Sequence, residues 1–147
     1  MTTIVETTIV ETTTVGKTPV TRTAAANSDK AFRYFSDSLA FETDCWDTHE
    51  SLQAANHDFI LVDVRSPSLF SQGHIDGAVN IPHAKMIGSY MKRYPSDQLF
   101  VVYCAGPHCN GANKAAVRLA QLGLPVKLMI GGVTGWIDEG FVLSTAE

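Results

Sequence analysis

Nowhere in its 147 residues does the sequence stay apolar for the roughly 20 positions that a bilayer-spanning helix needs. Charge of one sign is scarce too. Eleven Lys and Arg against fifteen Asp and Glu leave a net charge of −4, which argues against nucleic acid as the main partner, since that requires a concentrated basic face. Glu6 and Glu11 lie where a secretory signal peptide would need a basic region and an apolar block, and they also disfavour a transit peptide. Cysteine is sparse and odd in number, at three, which excludes a disulfide framework and favours a reducing, cytoplasmic setting.

What remains is one domain's worth of chain with an ordinary globular balance, 45% hydrophobic and 18% charged. The first residues repeat: Thr2-Thr3-Ile4-Val5-Glu6, then Thr7-Thr8-Ile9-Val10-Glu11, then Thr12-Thr13-Thr14-Val15. Residues 1–27 read as a Thr-rich, disordered tail, with strand addition to a partner's sheet edge as the competing reading. Residues 28–40 read as a helix capped by Ser28, with Ala31, Phe32, Phe35 and Leu39 on one face.

From residue 41 onward, short apolar runs alternate with helical patterns. Ala40–Asp44 reads as a short strand, and Asp47-Thr48-His49-Glu50 has the spacing of a capping box that starts a helix reaching about Ala55. On that reading Cys45 and Trp46 precede the cap as packing residues. Phe59–Val64 is apolar except for Asp63, the pattern of a strand buried on both faces. Ser66-Pro67 supplies an N-cap and a proline at the first helical position. A turn, Gly73-His74-Ile75-Asp76-Gly77, leads to a strand Ala78–Ile81 ended by Pro82. Ile87, Tyr90, Met91 and Tyr94 mark one face of a helix that Pro95 closes, and Leu99–Tyr103 is a second apolar strand. A helix from Ala112 to Leu122 turns Ala112, Ala115, Ala116, Leu119 and Leu122 inward. Val126–Ile130 forms the last strand, Gly131-Gly132 a turn, and Trp136, Ile137 and Phe141 a final amphipathic segment. This alternation predicts an α/β domain around a mainly parallel central sheet with helices on both faces, in which ligands bind beyond the C-terminal strand ends.

Cys104 sits at such an end. It opens the loop Ala105-Gly106-Pro107-His108-Cys109-Asn110-Gly111, which delivers the chain to a helix N-terminus. Backbone N–H groups without intrahelical partners there favour a thiolate, the nucleophilic form of the residue. Asp63, inside an apolar strand, demands partners and is expected to be a structural brace satisfied by loop N–H groups. His108 is the loop side chain able to become cationic near neutral pH. Cys109 could resolve an oxidised Cys104 or simply fill space. Three ligands at best, Cys104, His108 and Cys109, fall short of the four a closed zinc site takes, so neither a metal nor another cofactor is called for.

Asp63-Val64-Arg65 followed by Gly73-His74-Ile75-Asp76-Gly77-Ala78-Val79-Asn80-Ile81-Pro82 resembles the first signature of rhodanese domains. Tyr103-Cys104 with its alanine-rich helix, and Gly131-Gly132-Val133-Thr134-Gly135-Trp136, resemble the second and third. The likeness spans about Phe41 to Leu143, within a domain taken as residues 41–147. It implies a single-domain sulfurtransferase that moves a sulfane sulfur from a donor to a thiophilic acceptor through a Cys104 persulfide, with Asp63, Arg65 and His74 in supporting roles. Donor and acceptor would be a small-molecule or protein persulfide and a thiol.

The chain also departs from the family. Family loops commonly carry an arginine or lysine for the oxygens of thiosulfate, and Ala105–Gly111 has neither. The loop is longer than expected by about two residues, which suits a bulkier substrate. Related arsenate reductases and phosphatases need an arginine six positions after the cysteine, where this chain has Asn110. The missing loop cation also motivates an alternative: a catalytically idle rhodanese module that binds or regulates a partner.

Overall fold

The computed structural model describes residues 16–145. The Thr-rich repeat over residues 2–15 lies outside them. The chain divides into two compact units at Asp37/Ser38, each taken by itself. Ahead of the division, Thr18 and Thr21 stitch a turn: the Arg22 N–H donates to the Thr18 carbonyl at 2.9 Å, and the Thr18 and Thr21 hydroxyls lie 2.9 Å apart. Helix α1, Ser28–Phe41, begins one residue earlier in its capping than the sequence suggested, since Asn27 Oδ1 accepts the Lys30 N–H at 2.8 Å. Phe32 and Leu39 on its expected apolar face are both 72% exposed.

The larger unit is built on a five-stranded sheet: β1 (Glu42–Thr43), β2 (Ile60–Asp63), β3 (Val79–Asn80), β4 (Phe100–Tyr103) and β5 (Val126–Met129), in the order β1-β5-β4-β2-β3. Every pairing between these strands is parallel. Parallel neighbours need crossovers, and helices on both faces supply them. These are α2 (Cys45–Leu52), α3 (Pro67–Gln72), α4 (Gly88–Met91), α5 (Gly111–Gln121) and α6 (Gly132–Asp138).

The two cores explain why β2 and β4 are apolar throughout. Val62, Phe100, Val102 and Cys104 face one side with Ala112, Ala115 and Leu119 of α5. Leu61, Val101 and Tyr103 face the other with Cys45, Met129 and Trp136. Alternate residues of each central strand feed opposite cores, so no position is left for a polar side chain. Asp63 is the exception, buried completely at the end of β2.

Several expected boundaries shift. Helix α2 starts three residues before the anticipated capping box, because Asp44 Oδ1 takes the Asp47 N–H at 2.8 Å. That start draws Cys45 into the buried core, while Trp46 stays 56% exposed against the Phe141 ring. Helix α4 is a single turn that leaves Ile87 exposed at its N-cap and places Tyr94 beyond its end, edge-on to Phe100. Leu122 falls at the C-cap of α5 and Ile137 on the outer side of α6, both exposed rather than inward.

Leu119 is fully buried between α5 and the sheet. Leu119→Ala should lower unfolding free energy by about 2–5 kcal/mol, from lost apolar transfer plus an incompletely collapsed cavity. Urea melts of the two chains check this, with an unchanged slope expected.

Candidate active site

Strand β4 hands Cys104 over to a loop clamped from behind. The Cys104 carbonyl accepts the Val133 N–H at 3.0 Å, and the Ala105 carbonyl accepts the Thr134 N–H at 3.0 Å and its hydroxyl at 3.1 Å. The clamp needs close backbone approach. Gly132 has φ +59°, and a Cβ on it would meet the Cys104 carbonyl oxygen at 2.5 Å and the Gly106 nitrogen at 2.7 Å. Only glycine fits such a position.

The loop folds back so that Cys109 Sγ lies 2.7 Å from Cys104 Sγ, with both cysteines free. Cys104 is 7% exposed, whereas Cys109 is half-buried at the rim. Gly111 opens the space between them and α5: a Cβ there would stand 2.8 Å from Cys104 Sγ and 3.5 Å from Cys109 Sγ. Both sulfurs line a cleft of about 240 Å³, shared with Pro107, Asn113, Leu128 and Glu42.

The electrostatics of the pair reverse a sequence expectation. Burial pushes the Cys104 thiol up to about 11, helped by hydrogen bonding to Cys109, and the N–H groups of Ala105 and Gly111 only partly offset this. Cys109 is lowered, chiefly by the hydrogen bond from Cys104 and then by the Gly111 N–H, which points at its sulfur at 3.5 Å. Lys114, in the first turn of α5, adds a smaller favourable charge. Of the two thiols Cys109 is therefore the one that loses its proton more readily, with the Cys104 S–H placed to donate to it. Helix N-terminal N–H groups do reach the pair, but desolvation outweighs them at the inner sulfur.

Asp63 and Arg65 form a buried pair at the end of β2, beside the end of β4. Arg65 Nη2 donates to Asp63 Oδ2 at 2.8 Å and Nε to Oδ1 at 3.0 Å, with side-chain exposures of 8% and 0%. The Arg65 backbone N–H also donates to Asp63 Oδ1, at 2.9 Å. Asp63 thus accepts a loop N–H, that of Arg65, as the sequence suggested, and the Arg65 guanidinium adds a partner the sequence did not name. Arg65 extends the brace to the Gly73 carbonyl. His74 sits in the supporting turn: its Nδ1 is 2.8 Å from the Phe70 carbonyl, its ring stacks on Phe70, and its backbone pairs with Ser144. His108 is exposed on the outer side of the loop, along an open concavity with Ala105, Pro107, Cys109 and Asn110. Among the described residues, no cluster of three or more His, Cys, Asp or Glu is arranged to hold a metal ion.

Sequence reasoning missed four contributors. Asn80 donates to the Asp63 and Arg65 carbonyls at 3.0 and 2.9 Å, closing the end of β2 onto β3. Thr134 straps Ala105, Lys114 biases Cys109, and Glu42 is among the residues that line the cleft. Asn80 and Thr134 lie inside the quoted motifs, so position was their signal. Glu42 had none, because strand β1 reaches the cleft through sheet order alone.

Residues 47–139 match the Rhodanese-like domain family. The chain belongs to that family. The rhodanese-like fold is shared with the BH2092 protein from Bacillus halodurans, at TM-score 0.78 and 36% identity over 81% of this chain and 87% of that one. Thiosulfate sulfurtransferase 16, chloroplastic, from Arabidopsis thaliana is 33% identical over 103 residues, 57% of this chain and 82% of its own. The HTH-type transcriptional regulator Rv0324 of Mycobacterium tuberculosis is 38% identical over 87 residues, 54% of this chain but only 38% of its own length. No helix among the described residues is long and apolar enough to cross a membrane.

Two experiments probe the site's construction. Arg65→Met leaves the buried Asp63 carboxylate unpaired and should cost about 3–5 kcal/mol of stability, read by chemical denaturation. Iodoacetamide labelling followed by peptide mapping should modify Cys109 first at neutral pH. Removing the Cys109 sulfur abolishes one of the causes that raise Cys104, so in Cys109→Ala the labelling profile of Cys104 should move to lower pH.

Proposed function

We propose that this rhodanese-like domain is a sulfurtransferase that carries sulfane sulfur as a persulfide on Cys104. The observation that supports it is the thiol pair: a buried Cys104 hydrogen-bonded at 2.7 Å to Cys109, facing a cleft at the C-terminal end of the sheet. Cys109, the more readily deprotonated of the pair, is in its thiolate form the base that accepts the Cys104 proton as Cys104 attacks. The new bond joins Cys104 Sγ to the donor's terminal sulfur, the donor's S–S bond breaks, and its thiolate departs with the proton then held by Cys109. An acceptor thiol takes the terminal sulfur in the reverse sense.

The cleft's charges speak to the donor. With no arginine or lysine in the loop and Glu42 on the wall, a thiosulfate dianion meets no loop side chain that grips its oxygens. A persulfide on a small thiol or a protein suits the cleft better. Three free thiols among the described residues fit a reducing, cytoplasmic setting for such chemistry.

Donor consumption by the purified chain with glutathione persulfide, mercaptopyruvate and thiosulfate tests this. Glutathione persulfide should exceed thiosulfate in kcat/KM by roughly tenfold or more, and Cys104→Ser should lose at least about a hundredfold with every donor. Equal turnover by Cys104→Ser overturns the persulfide. A wild-type chain inert to the whole panel leaves the idle binding module as the correct reading.

A further inference from the structure

Cys109 Sγ is held against the sulfur that becomes the inner atom of a Cys104 persulfide. The terminal sulfur would extend one bond farther into the cleft, beside Leu128 and Gly132. An internal nucleophile placed this way meets the inner sulfur first. Gly111 leaves room for both sulfurs to move, since any larger residue would put a Cβ 2.8 Å from Cys104 Sγ.

We propose that the Cys104–Cys109 pair gives this chain a second activity, the reduction of bound sulfane sulfur to hydrosulfide with closure of a Cys104–Cys109 disulfide that an external dithiol reopens. This rests on the Cys104 persulfide reading. The Cys109 thiolate attacks Cys104 Sγ, the inner S–S bond breaks, and the terminal sulfur leaves as HS⁻ with the bonding pair. The two cysteine sulfurs are oxidised together while the sulfane sulfur is reduced, so the step needs no outside oxidant. Each turnover then consumes one dithiol, which becomes a disulfide and returns both cysteines to thiols. The lower proton affinity of Cys109 supports its part as the attacking thiolate. The chain thereby has two outlets for the same sulfur: an acceptor that reaches the terminal atom, and Cys109, which reaches the inner one.

The test uses the full chain, reduced and under nitrogen, mixed with one equivalent of glutathione persulfide and then desalted. Sulfide above a donor-only blank, intact mass and free thiols are measured. The wild-type chain should release close to one sulfide, weigh two hydrogens less than its reduced form, and fall from three free thiols to the single Cys45. Dithiothreitol should then restore all three. Cys109→Ser and Cys109→Ala lack the base that aids loading, so they are first loaded to completion at raised pH. They should then keep one extra sulfur on Cys104 and release no sulfide above the blank. A wild-type chain that retains the extra sulfur as those variants do overturns the second activity and leaves the persulfide intact. Sulfur uptake by Cys104→Ser matching the wild type overturns the persulfide itself.

Discussion

The site depends on one contact between main chains: the last carbonyls of the β4 segment, Cys104 and Ala105, lie on the first N–H groups of α6. Two helix N-termini converge near the loop, and this contact divides their work. The N–H groups of Val133 and Thr134 are used on backbone carbonyls, so α6 acts as a clamp. The N-terminus of α5 is left to face sulfur, through the Gly111 N–H. Without a glycine at 132 the carbonyls could not come this close, and the loop would have no fixed start from which to return Cys109 to Cys104. The clamp also shapes one wall of the cleft, since Gly131 and Gly132 line it.

A second constraint sets where charge can reside. A thiol at a strand end below a helix N-terminus gains from N–H groups, but Cys104 is also packed with Val102, Ala112 and Ala115 in a dry core. Desolvation is the larger effect there, and the partial charges of N–H groups do not overcome it. The second sulfur resolves the conflict. At the rim, Cys109 keeps access to water and lies in the field of Lys114, so it can hold the negative charge that Cys104 cannot. The buried sulfur favours the neutral thiol, and on the proposed mechanism it becomes nucleophilic as its proton crosses to Cys109. On the far side, the Asp63–Arg65 pair braces the end of β2 through hydrogen bonds that close on each other, on Gly73 and on Asn80, and Arg65 lies close enough to feel the charge of Cys104.

Much of this was legible in the sequence, because the strongest signals are those of burial. Two wholly apolar runs could only be central strands, and both became β2 and β4 with cores on either face. The ordered motifs around Asp63, Cys104 and Gly131 pointed to the family to which the chain belongs. What was not legible has physical reasons. Four residues between cysteines in a loop set no distance between sulfurs, since that depends on the clamp and on Gly111. Asp63 announced that it needed a partner, but periodicity could not say that Arg65 would fold back to supply it. Asp44 and Asp47, three residues apart, could each cap α2, and it is the Asp44 side chain that takes the orphan N–H, of Asp47 itself. The face of α1 was read as apolar from spacing alone, yet Phe32 and Leu39 are exposed.

Proximity between the two sulfurs also constrains how transfer to an acceptor can succeed at all. A well-oriented internal nucleophile acts as if present at on the order of 10⁵ M or more, far beyond any free thiol in a cell. An acceptor from solution would therefore lose to Cys109 unless it is bound in the cleft before the loop thiol can attack. The cleft is small, about 240 Å³, and its polar wall groups include Glu42 and Asn113. On the proposed reading, a thiol seated there competes directly with Cys109 for the sulfur on Cys104, since both cysteines line the same cleft. Occupancy of the cleft is thus the variable that divides sulfur between transfer and release. Charge at Glu42 contributes directly to it, favouring acceptors that bring a cation or an N–H donor over those that bring a second carboxylate.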